Sequence, residues 1–342
     1  MSILKICLYP FVLLVMPFLA CFGGIPQDPT SIALAGTSLS DKAVQQLEEG
    51  LKSNPNDITA RTKLLGYYTR KYNSVAKLAN ILWFIENRPD ASVLESGFVS
   101  LDKILEKAHY EEAKKAWLTV VEKNPSKVII LGNAANFLTL YDSELAEQTF
   151  KKAKALEPKN PKWASRLGHL YALGLSSLEG SARQKAAKKA LAEYSSALQN
   201  STHSYERISL LSRAGMLAVE LGQLNQARLF GKELLRIGDG DGDAVHKGHT
   251  ILGRIALRTG GMEAAKSHLL ASGKTTGSPV LGSFGPNMTL AQELLEKGER
   301  KSVLQYFGLC AKFWQHHDGI LAQWTKEVRT GQTPDFGANL DY

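Results

Sequence analysis

The chain has 342 residues, with 41 Lys and Arg against 33 Asp and Glu, which gives a formal net charge of +8. Apolar residues make up 44% and charged residues 22%, which excludes collagen-like, wholly disordered and multi-span membrane classes. The three cysteines, Cys7, Cys21 and Cys310, are too few for a disulfide framework or a cysteine-rich zinc site. A chain of this length predicts about two domains or one elongated array.

The first residues have the pattern of an export signal. Lys5 precedes an apolar run from Ile6 to Met16, and this run is too short, and too interrupted by Pro10, to make a good membrane span. We therefore expect residues 1–24 to be a signal peptide. The mature protein is then exported to the periplasm, the cell envelope or the medium.

Ala20 and Cys21 resemble the end of the lipobox of bacterial lipoproteins, in which the cysteine is acylated and becomes the new N-terminus. The resemblance implies lipidation at Cys21 and a possible membrane tether. Residues 17–19 differ from the usual lipobox, and Gly23 with Gly24 offers an ordinary cleavage site as the alternative. Pro, Ser, Thr and Gly dominate residues 25–40, which predicts a flexible tether.

The middle of the chain contains internal repeats. One pattern recurs after 33 residues, with three small or apolar side chains at i, i+4 and i+7 followed by a proline. That spacing places the three side chains on one helix face, and the proline ends the helix. The two copies are Ala113, Trp117, Val120 and Pro125, then Ala146, Phe150, Ala153 and Pro158.

A second signature follows in the next helical segment, at Ala164, Leu167, Gly168 and Tyr171. Its spacing resembles the first helix of a tetratricopeptide repeat (TPR). Similar patterns follow around Gly215 and Gly253, with weaker copies at Leu64–Tyr68 and Gly298–Cys310.

The TPR resemblance implies an all-α fold in which antiparallel helix pairs stack into a right-handed α-solenoid. We expect about seven TPR-like pairs over residues 41–315, then a capping helix and tail over residues 316–342. The helix is predicted near 317–329, and the tail from Thr330 onward is expected to pack loosely. The excess residues 175–184 predict a longer turn, and residues 273–287 predict a long irregular loop.

The TPR family binds its ligands on the concave surface formed by the first helix of each repeat. Guanidinium groups held in a row on rigid helices suit carboxylate or phosphate ligands. The alternative is that these cations are solvated or paired with acids of neighbouring repeats. The family register nominates Lys162, Arg166, His169, Arg213, Lys247, Arg254 and Arg258.

Charge supports a local basic surface in this part of the chain. Residues 151–200 contain ten Lys and Arg and three Asp and Glu, a net charge of +7. Lys162 and Arg166 also match part of the carboxylate clamp of chaperone-binding TPR domains. Phe98, Asp102 and Gly132 stand where that clamp has one Lys and two Asn, so this specific function is disfavoured.

Other candidate sites are weaker. Residues 239–243 alternate Asp with Gly, as in the first half of a calcium loop, but lack its late carboxylate; the alternative is a turn in which Asp243 caps the next helix. His246 and His249 could share a metal on one helix face, without a defined third ligand; the favoured interpretation is that they are surface or partly packed histidines. Cys310 falls at a small-residue position of a repeat and is expected to be a buried thiol.

No catalytic arrangement of side chains stands out. The sequence therefore favours a non-catalytic, envelope-located scaffold or adaptor that binds an acidic peptide or protein and needs no cofactor or metal. The alternative is an enzyme or metal-dependent module near residues 273–287. Export and the lack of an aromatic–basic pattern disfavour nucleic acid, and the oligomeric state stays open.

Overall fold

The computed structural model describes residues 28–238 and 240–340, and within them the chain is all-α, without a strand. The predicted signal peptide and the lipidation site Cys21 lie outside the described residues. Among the helices that are described, none combines the length and the apolar character needed to cross a membrane. The chain divides into two compact units, residues 1–80 and residues 81–342.

The helices follow one another with short connections. In the first unit they are α1 (Pro29–Gly36), α2 (Asp41–Ser53) and α3 (Ile58–Arg70), and α4 (Ser74–Asn87) contains the boundary between the units. The second unit continues with α5 (Lys107–Lys123), α6 (Val128–Leu138), α7 (Ser143–Leu156), α8 (Pro161–Ala172), α9 (Gly180–Asn200), α10 (Ser204–Glu220), α11 (Leu224–Ile237), α12 (Gly242–Arg258), α13 (Met262–Ser272), α14 (Pro279–Phe284), α15 (Thr289–Glu296), α16 (Arg300–Cys310) and α17 (Ile320–Arg329).

The expectation of a flexible tether over residues 25–40 is wrong for its described part, because that part contains α1. Asp28 caps the helix by accepting hydrogen bonds from two backbone N–H groups, and Pro29 occupies the first turn. Ala33 is fully buried, and a Cβ at Gly66 of α3 would lie 1.7 Å from its carbonyl oxygen. Helix α1 is therefore docked tightly on α3.

The small and bulky positions of the repeat signature are buried as predicted. The small residue on the second helix of each repeat is fully buried in five copies, and the aromatic residue at the bulky position is at most 2% exposed in four. These two sets are Ala113, Ala146, Ala190, Ala227 and Ala265, and then Trp117, Phe150, Tyr194 and Phe307.

Glycines of the signature allow close approach between helices. A Cβ at Gly132 would lie 2.5 Å from the Trp163 ring, and one at Gly168 would lie 2.7 Å from the Tyr194 ring. Such separations are far below normal carbon–carbon contact, so a glycine is required to seat each ring. Gly215 and Gly253 seat Ile251 and Leu290 in the same way.

Each helix from α5 to α12 packs against the next helix in the chain, and α10 also packs against α12. The apolar cores lie between these consecutive helices. The order of packing thus brings α8, α10 and α12, which carry all the nominated cations, into one region of the second unit.

The excess residues 175–184 do more than lengthen a turn. A short 3₁₀ turn covers Leu175–Ser177, and α9 then begins at Gly180, so part of the excess adds turns to that helix. Arg183 in this added part donates to the Glu220 carboxylate at 2.7 Å. This ion pair connects the extension to the end of α10.

The C-terminal part is more ordered than the sequence suggested. The predicted loop over residues 273–287 contains α14, and α17 begins at Ile320 instead of residue 317. The expected loose tail is wrong for its described residues: Phe336 is 2% exposed, and the Asn339 amide donates to the carbonyls of Phe284 at 3.1 Å and Pro286 at 3.0 Å.

Candidate functional site

The seven nominated residues separate into two groups with different surroundings. The first, which we call the basic row, extends from α8 through α10 to the start of α12. The second, which we call the arginine network, lies on the last turns of α12 and includes an acid from α15. The basic row comprises Lys162, Arg166, His169, Arg213 and Lys247; the arginine network comprises Arg254, Arg258 and Glu293.

The row begins at the N-terminus of α8, where Asn160 caps the helix by accepting from the Lys162 N–H. Lys162 and Arg166 are four residues apart and face the same way. Lys162 Nζ lies 2.7 Å from one Glu95 carboxylate oxygen, and Arg166 Nη2 lies 3.3 Å from the other. One carboxylate is thus shared by two cations, which leaves a net positive charge.

A cavity of about 360 Å³ lies beside Arg166 and His169. Phe150 forms part of its buried wall, whereas Leu140 and Leu173 line it while remaining 59% and 37% exposed. Its other lining residues are Leu94, Glu95, Ser96, Gly97, Val99, Ser100, Leu101, Asn136, Phe137, Thr139 and Tyr141. The row therefore adjoins a cavity with both apolar and polar walls.

Arg213 is the next cation, on α10. It is exposed, and none of the ion pairs among the described residues involves it. The neighbouring His169 has a pKa below its ordinary value, first because protein surrounds its ring and then because of the positive charges of Arg213 and Arg166. His169 is therefore neutral at pH 7, and Arg213 supplies the charge at this point.

Lys247 continues the row on α12. Burial lowers the pKa of its ammonium group, the Asp243 carboxylate opposes that shift, and the charge of Arg213 adds to it. Lys247 Nζ lies 4.0 Å from Asp243 Oδ1, at the outer limit of an ion pair. Because Arg213 acts on both His169 and Lys247, these three side chains form one continuous electrostatic surface.

Arg254 and Arg258 were expected to be available to a ligand, but in the arginine network they are paired within the fold. Arg254 is only 8% exposed and donates through Nε and Nη2 to Glu293 Oε1, at 2.9 and 2.8 Å. Arg258 Nη2 donates to the same oxygen at 3.1 Å. The pKa of Glu293 is lowered: burial opposes the shift, but the bonds and charges of the two arginines outweigh it. Both guanidinium groups are thus engaged within the fold.

Much of the +7 charge of residues 151–200 is also matched by acids. Lys151 and Lys154 lie 2.6 Å from the carboxylates of Glu147 and Glu193, respectively. Lys189 lies 3.5 Å from Glu147. Four lysines of this segment are exposed and, like Arg213 on the helix that follows, take part in none of the ion pairs of the described residues: Lys152, Lys159, Lys185 and Lys188.

His246 and His249, the candidate metal pair of the sequence, have separate partners in the structure. His246 is fully buried; its Nδ1 lies 3.2 Å from the Ser272 carbonyl oxygen, and its Nε2 accepts from the Asn287 N–H at 3.0 Å. His249 Nδ1 instead lies 3.0 Å from His268 Nδ1. His268 was not singled out from sequence, although the antiparallel helix pair brings residues 19 apart together.

The burial of these histidines favours their neutral forms. Burial lowers the pKa of His246 to about 4, and it also lowers the pKa values of His249 and His268. The ring centroids of His249 and His268 are 5.2 Å apart, so the two Nδ1 atoms point at each other in a hydrogen bond. No group of three or more potential metal-binding side chains occurs within residues 28–238 and 240–340.

The Asp-Gly segment acts as a helix start. Asp241 caps α12 by accepting from the Ala244 N–H at 3.0 Å, so the expectation that Asp243 is the cap is wrong. Asp243 instead lies in the first turn of α12, where the positive end of the helix dipole stabilises its carboxylate. Asp239, the first acid of the suggested calcium loop, lies outside the described residues.

Cys310 is fully buried, as its position in the repeat predicted. Burial raises the pKa of its thiol far above the ordinary value, which suppresses the reactive thiolate. This cysteine therefore belongs to the packed core.

Neither the models of known protein families nor the curated proteins give a match to this chain. A functional proposal consequently depends on the side chains and their geometry.

Proposed function

We propose that the protein is a non-catalytic scaffold that binds an extended acidic peptide or protein along the basic row. The observation that carries the proposal is Arg213: an exposed guanidinium, outside the ion pairs of the described residues, whose charge acts on both His169 and Lys247. A charged group in this position gains more from a ligand carboxylate than one already paired within the fold.

The proposal includes the TPR architecture. The buried signature positions, the glycines that seat bulky side chains and the consecutive packing of α5 to α13 support pairing of these helices as TPR units. In that pairing α8, α10 and α12 are successive first helices, and their shared surface is the ligand groove. The right-handed superhelix implied by the resemblance belongs to the same proposal.

The proposed location is the bacterial cell envelope. Its support is the sequence of residues 1–24, with a basic start, an apolar run and Cys21 in a lipobox-like setting. Export, with or without lipidation, would present the row to envelope proteins. Mass spectrometry of the mature N-terminus tests this part independently of ligand binding.

The arginine network supports the fold in this proposal instead of contacting the ligand. Arg254 and Arg258 are held by Glu293, so the ligand-binding set is narrowed to the basic row. The alternative of a metal-dependent site near residues 273–287 has less support, because both ring nitrogens of His246 already contact backbone atoms there.

The proposal is tested by fluorescence polarisation with short, labelled peptides rich in Asp and Glu, and with matched peptides carrying Asn and Gln. We expect Arg213→Glu to lower the affinity for the acidic peptides by about tenfold or more, since it replaces an attractive charge by a repulsive one. Arg236→Glu is the control, because Arg236 on α11 is 74% exposed and the charge change is identical.

Binding should also weaken as salt rises, because exposed charges are screened. Equal losses in Arg213→Glu and Arg236→Glu would show that only net charge matters and would reject the row as a site. Equal affinity for acidic and amide peptides would reject the acidic ligand.

A further inference from the structure

The cavity beside the basic row is not explained by charge recognition. Its volume, about 360 Å³, falls within the range of protein ligand pockets, roughly 300–1,000 Å³. Half of its lining residues have apolar or aromatic side chains, and Arg166 and His169 are among its polar residues. It thus combines an apolar interior with a polar edge shared with the proposed groove.

Two leucines mark its entrance. Leu140 follows the end of α6, Leu173 ends α8, and the two remain 59% and 37% exposed although they line the hollow. Their exposed apolar surface would be removed from water by a side chain entering between them. Burying a large aliphatic or aromatic side chain supplies a large part of the affinity of a peptide.

We propose that this cavity is a specificity pocket for one bulky apolar side chain, of leucine or phenylalanine type, in the acidic peptide bound along the row. This inference rests on the proposed function and adds its sequence preference: an apolar anchor followed or preceded by acidic residues. Charge complementarity selects this occupant, because Arg166 at the edge of the pocket and Arg213 beyond it favour carboxylates next to the anchor.

The position of Glu95 indicates at which end of the basic row the apolar side chain binds. Its carboxylate lies at the pocket and holds both Lys162 and Arg166, so a ligand carboxylate competes with Glu95 there but meets no such competitor at Arg213. The apolar side chain therefore enters at the Glu95 end of the row, and the acidic residues extend toward α10 and α12.

The test uses the full chain and two labelled acidic peptides that differ only in having Leu or Ala at one position. For the wild-type protein we expect the Leu peptide to bind at least about tenfold more tightly. Leu140→Glu places a charge at the pocket entrance, and it should reduce the Leu-to-Ala affinity ratio to within about twofold.

Leu229→Glu is the matched control, since Leu229 on α11 is 68% exposed and makes no part of the pocket lining. It should leave the Leu-to-Ala ratio unchanged, and circular dichroism of both variants should show the same helix content as the wild type. Arg213→Glu should lower the affinity for both peptides by the same factor and so preserve the Leu-to-Ala affinity ratio.

The outcomes separate the inference from the proposed function. If acidic peptides bind through Arg213 and the Leu and Ala peptides bind with equal affinity, the specificity pocket is rejected and the proposed scaffold function is retained. If no acidic peptide binds, both are rejected. If sedimentation shows a dimer that Leu140→Glu dissociates, the pocket receives a second copy of the chain, and the inference is overturned.

Discussion

The α8–α10 region and the α12–α15 region present cations at related positions of the proposed repeats but use them differently. In the first region, one partly exposed Glu95 serves two cations and Arg213 stays outside the ion pairs of the described residues. In the second, Arg254 is buried and Glu293 receives bonds from two guanidinium groups. Equivalent positions can therefore supply either a ligand surface or an internal support, depending on which acid the neighbouring element brings.

The largest expected effect tests the internal support. Replacing Glu293 by Gln leaves two guanidinium groups, one of them buried, without their carboxylate. Removing one partner of a buried ion pair typically costs about 3–5 kcal/mol; because Glu293 and Arg258 keep some exposure, we expect about 3 kcal/mol. Urea denaturation monitored by tryptophan fluorescence measures the loss.

Glu95→Gln is the matched substitution in the other region. Its ion pairs are partly exposed, so its cost should stay below about 1 kcal/mol. If the two variants were equally stable, the distinction between the two regions would be wrong.

The second effect concerns pH in the α12–α15 region. His246 is fully buried with a pKa of about 4, below the ordinary 6.5. The folded state therefore binds fewer protons than the unfolded state between these values, and the stabilisation present above about pH 6.5 is lost as pH falls through 4. The shift corresponds to about 3 kcal/mol.

The measurement is the free energy of unfolding at several pH values for the wild type, His246→Gln and His203→Gln. His246→Gln should reduce the slope between pH 6.5 and 4, because it removes the most deeply buried histidine; His169, His249 and His268, whose pKa values are also lowered, supply the rest of the slope. His203 is exposed, so its variant should follow the wild type. A wild-type curve without slope in this window would contradict the buried, neutral His246.

The sequence predicted the helices and their buried faces well, because periodic small and bulky residues such as Ala146 and Phe150 report packing directly. It predicted where a side chain lies on its helix but not its ion-pair partner. Arg254 has the helix register of a ligand-lining position, yet the acid of the arginine network, Glu293, comes from a helix 35–39 residues away. Charge pairing over such distances depends on three-dimensional packing, which residue spacing does not encode.

The N-terminal helix was missed for a different reason. Residues 28–36 are rich in Pro, Ser, Thr and Gly, which typify linkers, and α1 is short for a stable isolated helix. It is stabilised by contact with α3, where Gly66 leaves room for the Ala33 backbone. Local composition cannot report such tertiary stabilisation.

The third effect tests the packing that both regions share. A Cβ at Gly168 would lie 2.7 Å from the rigid ring of Tyr194, whereas one at Gly253 would lie 2.4 Å from a terminal methyl of Leu290, which can rotate. We expect Gly168→Ala to cost about 1–3 kcal/mol and Gly253→Ala to cost less. Thermal unfolding of the two variants ranks them.

Gly308→Ala in α16 is the control, since a Cβ there has no neighbour within 4 Å. In open helical space, alanine should stabilise by up to about 1 kcal/mol. Equal costs at Gly168 and Gly253 would show that Leu290 is held as rigidly as the aromatic ring.

The smallest expected effect returns to Glu95, this time in ligand binding. Glu95→Gln frees Lys162 and Arg166 from a carboxylate that occupies them in the fold, so acidic peptides should bind about two- to fivefold more tightly, which corresponds to less than about 1 kcal/mol. Fluorescence polarisation with the acidic peptides measures this gain. Glu220→Gln, which frees Arg183 on α9 with the same charge change, should leave the affinity unchanged. If Glu95→Gln weakened binding instead, Glu95 would be needed to orient the two cations, and the ligand would approach the row from the Arg213 end alone.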